Sequence, residues 1–137
     1  MNIGIGVYAK NSKEAVELYC EVFGLELGYH VMNEGGNYFH SELLKNGEPF
    51  LSVAEGSNTF LPNGISLSYD NPVEMGYTVE SRDEFSRVFQ HLKKDGKIIM
   101  DVCELPWSPM AAVVMDRFGA RWYITLPQHR PDEDEVD

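Results

Sequence analysis

The chain has 137 residues, 43% of them hydrophobic and 12% aromatic, which suits one domain with a sizeable core. Its formal net charge is −11 and it has no basic stripe to neutralise phosphates, which argues against nucleic-acid binding. No apolar run approaches the roughly 20 residues that span a bilayer, and the start lacks the features of a signal peptide. With Cys20 and Cys103 as its only cysteines, the chain predicts no disulfide framework, so a reducing cytoplasm is the expected location.

The first half of the chain, about residues 1–56, predicts a β-α-β-β-β module. Four segments have the period-two alternation or the flanking hairpin turns typical of strands: 3–9, 26–32, 37–44 and 50–54. Between the first two, a helix is predicted to begin at Asn11 or Ser12, either of which can cap it, and to end at Gly24. Its apolar residues recur at helical spacing, so one face of the sheet should be covered by this helix.

The second half, about residues 72–128, repeats this order. The segment Ser81–Phe89 echoes Asn11–Tyr19, 70 positions earlier in the chain, and opens a helix predicted to run to Lys94 with Gly96 as its stop. Strands are predicted at 73–79, 97–103, 111–115 and 121–126. A proline-containing loop, 104–109, should join the second and third of these strands.

Two segments fall outside the modules. Residues 55–64 are the predicted connection, and Ile65–Tyr69 is either an extra strand or an extended link. Residues 129–137 are predicted to form an acidic flexible tail. Without the five acids of that tail, the net charge of the rest of the chain is still −6.

A repeated module predicts an α+β fold in which two β-α-β-β-β modules form one domain, residues 1–128, with a cupped mixed sheet and its helices outside. Closure of the two modules on each other would create a groove, which is the expected place for a ligand. Alternation along the first strand of each module leaves six positions facing this groove: Gly4, Gly6, Tyr8, Glu74, Gly76 and Thr78.

Paired β-α-β-β-β modules resemble the vicinal oxygen chelate superfamily, which includes glyoxalase I, extradiol dioxygenases and bleomycin-resistance proteins. Within it, the chain looks most like the PhnB-like branch. Four stretches carry the resemblance: Glu14–Gly24, Phe39–Leu43, Ile65–Ser68, and Trp107 with Asp116-Arg-Phe-Gly-Ala-Arg-Trp122. The resemblance extends to about Leu126 and implies, besides the fold, a homodimer.

The resemblance also implies where a divalent metal would bind, because enzymes of this superfamily take metal ligands from the first and last strands of each module. In this chain those positions fall at Gly4, near Ser52 with Glu55 a few residues beyond, at Glu74, and near Tyr123. Only Glu74 is a convincing ligand, whereas a hard divalent cation needs several converging oxygens or imidazoles. The expected cofactor is therefore none.

Seven residues are predicted to line a ligand-binding groove: Tyr8, Tyr38, His40, Glu74, Trp107, Arg121 and Tyr123. By strand parity, His40 groups with Tyr38 and Glu42, and it is a donor in the groove, a general base or a metal ligand, or else a hydrogen-bonded structural histidine.

The remaining candidates also have two interpretations each. Glu74 is a groove-facing ligand or base, or else an exposed charge at a strand end. Arg121 and Tyr123 share one face of the last strand and suit an anionic or polar ligand, or Arg121 forms an ion pair at the rim. Trp107 is an aromatic wall, a lid, or a side chain packed over the sheet edge.

These observations favour a small-molecule-binding protein without the usual metal site, similar to sequestering proteins of the bleomycin-resistance type. The net negative charge favours a cationic or neutral ligand. The alternative is a metal-dependent lyase, isomerase or dioxygenase that uses Glu74 and His40, with the metal as a Lewis acid. A third hypothesis is an interaction module that works through its acidic surface and tail.

Overall fold

The computed structural model describes residues 4–56 and 74–127. These residues form the following helices and strands, in chain order: β1 (Gly6–Ala9), α1 (Ser12–Phe23), β2 (Glu26–Met32), β3 (Tyr38–Lys45), β4 (Glu48–Glu55), β5 (Met75–Thr78), α2 (Arg82–Lys93), β6 (Lys97–Leu105), β7 (Ser108–Met115) and β8 (Arg121–Leu126). The β-α-β-β-β order occurs twice, which confirms the predicted fold class. The predicted extra strand Ile65–Tyr69 and the predicted tail lie outside the described residues.

The chain divides into two compact units. Unit 1 comprises Met1–Asp70 with Arg117–Ala120, and unit 2 comprises Asn71–Asp116 with Arg121–Asp137. Each unit contains a four-stranded mixed sheet, with strand order β1-β4-β3-β2 in unit 1 and β5-β8-β7-β6 in unit 2. In both sheets the first strand of the module pairs parallel with its last strand, and the other pairs are antiparallel. The module bounds and the groove predicted from the sequence remain predictions.

In unit 1, α1 covers one face of the sheet. Its buried residues Ala15, Tyr19 and Val22 face β3 and β4, whose Leu43 and Val53 are also buried. Removing these apolar side chains from water is the main source of stability for such a layer. No helix of unit 1 other than α1 is described, so the opposite face of this sheet is open in the described part of the unit.

The start of α1 is held by a residue that is distant in sequence. Asn11 occupies the N-cap position with a left-handed φ of 62°, but its side chain makes no capping hydrogen bond. Instead the buried carboxylate of Glu55 accepts from the backbone N–H groups of Asn11 (3.1 Å) and Ser12 (2.8 Å). The Ser12 hydroxyl in turn accepts from the Tyr38 N–H at 2.8 Å. The expected capping by the Asn11 or Ser12 side chain is therefore wrong, because β4 supplies a carboxylate to the first-turn donors.

In unit 2, the start of α2 is capped locally. The Ser81 hydroxyl accepts from the Glu84 N–H at 3.1 Å, and the Glu84 carboxylate accepts from the Glu80 N–H at 2.7 Å. This arrangement is close to a capping box, except that the Glu84 carboxylate accepts from the residue before the N-cap and not from the N-cap itself. Phe85 and Val88 are fully buried on α2, which contacts β7 and β8.

The two helices end differently. After α1, Gly24 adopts a φ of 65°, as expected for a helix-stopping glycine. After α2, the positive φ of 59° falls on Asp95, one residue before Gly96. Gly96 is needed for a different reason: a Cβ there would lie 2.2 Å from the Met115 carbonyl oxygen. The second helix therefore stops before Gly96, and this glycine permits close approach to β7.

The predicted proline loop is shorter than expected. β6 extends to Leu105 and β7 begins at Ser108, so only Pro106 and Trp107 form the turn. The Ser108 hydroxyl donates to the Leu126 carbonyl of β8 at 2.6 Å, close to the point where Pro109 has no N–H to donate. With this side-chain hydrogen bond to β8, strand β7 includes Ser108 and Pro109, which were predicted to lie in the loop.

Neither of the helices in the described ranges is long and apolar enough to cross a membrane.

Candidate functional site

The open face of the unit 1 sheet contains two adjoining cavities, of about 260 Å³ and about 460 Å³. Both are lined by Gly6, His40 and Ser52. Gly6 on β1 and Ser52 on β4 are register partners, and a Cβ on Gly6 would lie 3.1 Å from the Ser52 hydroxyl oxygen. Because these two neighbouring residues are small, they leave space for the cavities between the larger side chains on either side.

The polar centre of this face is a pair of residues on β3. His40 Nε2 lies 2.9 Å from a carboxylate oxygen of Glu42, and both side chains are partly exposed, at 41% and 49%. A carboxylate only accepts hydrogen bonds, so the hydrogen bond places a proton on Nε2, and the neutral imidazole presents Nδ1 as an acceptor. In the described parts of the chain, no hydrogen bond to Nδ1 is found.

Aromatic side chains lie near His40. Tyr8 and Phe39 line the smaller cavity, and each is 42% exposed. The Tyr29 ring on β2 lies 6.1 Å from the His40 ring and is 66% exposed. Aromatic walls around a few polar groups are typical of small-molecule sites.

Sequence reasoning did not include Phe39 or Ser52 among the lining residues. Ser52 had a usable signal, because it alternates with the buried Leu51 and Val53 along β4. Phe39 had no such signal, because its position depends on an irregularity in β3.

That irregularity also corrects the placement of Tyr38. Strand parity grouped Tyr38 with His40, but a register shift between the pairs Val31–His40 and Met32–Tyr38 adds one residue to β3. Tyr38 therefore faces the helix side and is only 7% exposed. Burial raises the pKa of its hydroxyl, and the acidic groups of Cys20 and Glu17 on α1 raise it further. Tyr38 is not brought together with Tyr8 and His40.

In unit 2, the four predicted residues form two contacts. The Arg121 guanidinium donates to the Glu74 carboxylate at 2.8 Å, because Met75 and Trp122 are register partners and place their preceding residues side by side. The Trp107 indole N–H donates to the Tyr123 hydroxyl at 2.8 Å.

Trp107 remains 54% exposed at the hairpin turn, so it is held at the surface and not packed away. Arg121 and Tyr123 share a face of β8 opposite the buried Trp122, as predicted.

The positions implied for a divalent metal do not carry suitable groups. Gly4 has no side chain, and the Ser52 hydroxyl donates to the Ile5 carbonyl at 3.3 Å. Glu55 caps α1.

In unit 2, Glu74 is paired with Arg121, and the Tyr123 hydroxyl accepts from Trp107. Within residues 4–56 and 74–127, no three His, Cys, Asp or Glu side chains come together in a way that could hold a metal ion. This donor set does not fit a hard divalent cation.

Cys20 and Cys103 are free thiols. Burial raises the pKa of Cys20, which disfavours its thiolate form and therefore a nucleophilic role.

Comparison with solved structures shows the same fold in several bacterial proteins. The PhnB protein of Bacillus cereus is 20% identical and superposes with a TM-score of 0.76, with 92% of this chain and 99% of that chain covered. A Pseudomonas aeruginosa protein is 17% identical with a TM-score of 0.75, covering 94% and 99% of the two chains. The genomically encoded fosfomycin resistance protein of Listeria monocytogenes, solved with Mn(II) and a sulfate ion, is 10% identical with a TM-score of 0.65, covering 100% and 98%.

A comparison with curated proteins gave no match. The family model of the glyoxalase/bleomycin resistance protein/dioxygenase superfamily matches residues 4–124, and the structural neighbours share both of its β-α-β-β-β units. The chain therefore belongs to the glyoxalase/bleomycin resistance protein/dioxygenase superfamily.

Proposed function

We propose that this chain is a small-molecule-binding member of its superfamily that works without the usual metal, and that its ligand sits on the open face of the unit 1 sheet. One observation carries the proposal: adjoining cavities of about 260 Å³ and about 460 Å³ whose lining combines small, aromatic and apolar residues with the His40–Glu42 pair. Volumes and linings of this kind are usual for small-molecule sites.

The charge of the lining supports a neutral or cationic ligand. Among the described residues that line the two cavities, Glu42 is the one acid, and neither lysine nor arginine occurs. An anionic ligand would therefore meet a carboxylate with no lysine or arginine beside it. The net charge of −11 acts in the same direction at longer range.

The proposal is tested by filling the unit 1 cavity and the equivalent position of unit 2. Gly6→Val places a branched side chain beside Ser52, whereas Gly76→Val adds one where a Cβ has only ordinary contact with Tyr123, at 4.0 Å. A library of neutral and cationic aromatic compounds is screened by saturation-transfer NMR, and affinities are measured for the compounds that bind. Overfilling costs about 1–3 kcal/mol, so Gly6→Val should weaken binding by about 5- to 150-fold.

Gly76→Val is the matched control and should leave affinity within about twofold. Thermal melts of both variants establish that they are folded. The proposal fails when no compound binds the parent protein, or when Gly76→Val weakens binding as much as Gly6→Val does.

The metal-dependent lyase, isomerase or dioxygenase remains the rival function. Its support is the family itself, since the Listeria monocytogenes protein is described with Mn(II). Against it stand the donors of this chain, above all a Glu74 carboxylate already paired with Arg121. Elemental analysis of protein purified without chelator separates the two: a stoichiometric divalent metal that is lost in Glu74→Ala would overturn the metal-free proposal.

We further propose that the protein acts in the cytoplasm as a homodimer. Two free thiols suit a reducing compartment, and the edge strand β2 exposes Tyr29 and Met32 at 66% and 45%. Light scattering at several protein concentrations measures the molecular mass, and a monomer at every concentration contradicts the dimer.

Deletion of residues 130–137 tests the hypothesis of an interaction module. A protein that works through its acidic tail would lose its partner without losing ligand binding.

A further inference from the structure

The His40–Glu42 pair adds an oriented hydrogen-bonding group to an otherwise largely apolar cavity. Nε2 of His40 is 2.9 Å from the Glu42 carboxylate, so Glu42 fixes which ring nitrogen carries the proton. The second nitrogen, Nδ1, makes no hydrogen bond to any residue of 4–56 or 74–127. In its neutral form the imidazole therefore presents one oriented acceptor.

The surroundings of the imidazole restrict what can approach that acceptor. Tyr8 and Phe39 line the same cavity, and Tyr29 lies beside the imidazole at a ring-centroid distance of 6.1 Å. Exposed aromatic faces bind flat apolar and aromatic groups, with offset or edge contacts worth about 0.5–1.5 kcal/mol per pair. A flat ligand would thus lie among rings with its edge towards His40.

The charge of the pair decides the polarity of that edge. A neutral imidazole beside a carboxylate carries a net charge of about −1, and the described lining residues add no cation. A carboxylate or phosphate would bring a second negative charge and no donor hydrogen. A phenol, an aromatic amine or a protonated ring nitrogen would bring a donor and no negative charge.

We infer that the unit 1 site takes a neutral or cationic aromatic ligand that carries an O–H or N–H donor, and that His40 receives this donor at Nδ1 while Glu42 holds the imidazole in the required tautomer. The inference rests on the proposed function, because it names the ligand class of the same cavity. His40 is thus the specificity-determining residue, and Glu42 is a positioning residue that acts through it.

Three naphthalene probes of matched size test the inference: 2-naphthol, 2-methoxynaphthalene and 2-naphthoate. The first has a donor, the second lacks one, and the third is an anion. One net hydrogen bond is worth about 0.5–1.5 kcal/mol, so 2-naphthol should bind about 2- to 10-fold more tightly than 2-methoxynaphthalene, and 2-naphthoate should bind most weakly. Affinities and binding positions come from ¹H–¹⁵N spectra, followed at the Gly6, Tyr8 and Phe39 amides.

His40→Phe keeps a flat ring and removes the acceptor, so the preference for 2-naphthol should disappear while 2-methoxynaphthalene still binds. His30→Phe is the matched control, because His30 lies on the same sheet with its ring against the buried Tyr38 and not in the cavities. It should keep the preference. Glu42→Gln should reduce the preference, since an amide can donate as well as accept and no longer sets the tautomer.

One measurement needs no variant. The ¹⁵N shifts of the His40 ring in the parent protein should show a protonated Nε2 and an unprotonated Nδ1, and 2-naphthol should shift the Nδ1 signal. Binding at the unit 1 face without donor preference, a preference that survives in His40→Phe, or tightest binding of 2-naphthoate would overturn the inference and leave the proposed function standing. Failure of all three probes to perturb the unit 1 face also overturns the inference, whereas the proposed function fails only if the wider compound screen finds no ligand either.

Discussion

The two units share one topology but carry different residues on the sheet face opposite the helix. In unit 1, the register partners Gly6 and Ser52 leave cavities beside a histidine–carboxylate pair. In unit 2, the equivalent partners are Gly76 and Tyr123, and the Tyr123 hydroxyl is occupied by the Trp107 indole. At this register position, the serine of unit 1 is small and borders the cavities, whereas the tyrosine of unit 2 is large and bonded to Trp107.

The buried faces show a second difference. Unit 1 anchors its helix through Glu55, which is 43 residues from Ser12 in sequence, whereas unit 2 caps its helix through Ser81 and Glu84, three residues apart. The same fold is therefore stabilised by a tertiary contact in one unit and by a local motif in the other. Substitutions at these equivalent places should affect the two units unequally.

The largest expected effect is at the glycines that follow the helices. Gly96→Ala brings a Cβ to within 2.2 Å of the Met115 carbonyl oxygen, so backbone must move, and we expect a loss of about 3 kcal/mol of unfolding free energy. Gly24→Ala meets no atom within 4 Å but must keep a φ of 65°, which should cost about 1 kcal/mol. Urea unfolding measures both. Equal losses would contradict the requirement for close approach of Gly96 to the Met115 carbonyl.

The caps should give an intermediate effect. Glu55→Ala removes the acceptor of two first-turn N–H groups at a buried site, and we expect a loss of about 2–3 kcal/mol. Ser81→Ala removes one acceptor at an exposed site and should cost about 1 kcal/mol. Glu55→Gln keeps one acceptor oxygen, so its loss of unfolding free energy should fall between those of Glu55→Ala and Ser81→Ala. A loss for Ser81→Ala as large as that for Glu55→Ala contradicts the contrast between a tertiary and a local cap.

The smallest effect is expected at the Glu74–Arg121 ion pair of unit 2. Glu74 and Arg121 retain 34% and 22% of their side-chain exposure, so water screens their attraction. Glu74→Ala should lower the unfolding free energy by less than about 1 kcal/mol, and 1 M salt should remove most of that difference. A double-mutant cycle with Arg121→Met isolates the pair. A coupling well above this, or one that salt does not change, means that the two side chains form more than a surface ion pair.

Local sequence patterns determined most of the secondary structure. Period-two alternation, hairpin turns and helical spacing predicted the two helices and eight strands that residues 4–56 and 74–127 form, because these signals follow from local backbone geometry. The similarity of segments 11–19 and 81–89, which lie 70 positions apart, predicted the duplicated β-α-β-β-β order. Of the residues proposed for a site, Tyr8 and His40 lie together on the unit 1 face, and Glu74 lies against Arg121.

What local patterns could not determine are the contacts between distant parts of the chain. Parity placed Tyr38 beside His40, but one extra residue in β3 turned it towards α1, because a bulge depends on how β2 and β3 align and not on either strand alone.

The capping role of Glu55 depends likewise on where β4 ends relative to α1. The sequence alone thus determined which helices and strands form and to which superfamily the chain belongs. Only the tertiary structure decided which side chains share a face, since register between strands is set by packing over distances that no local period encodes.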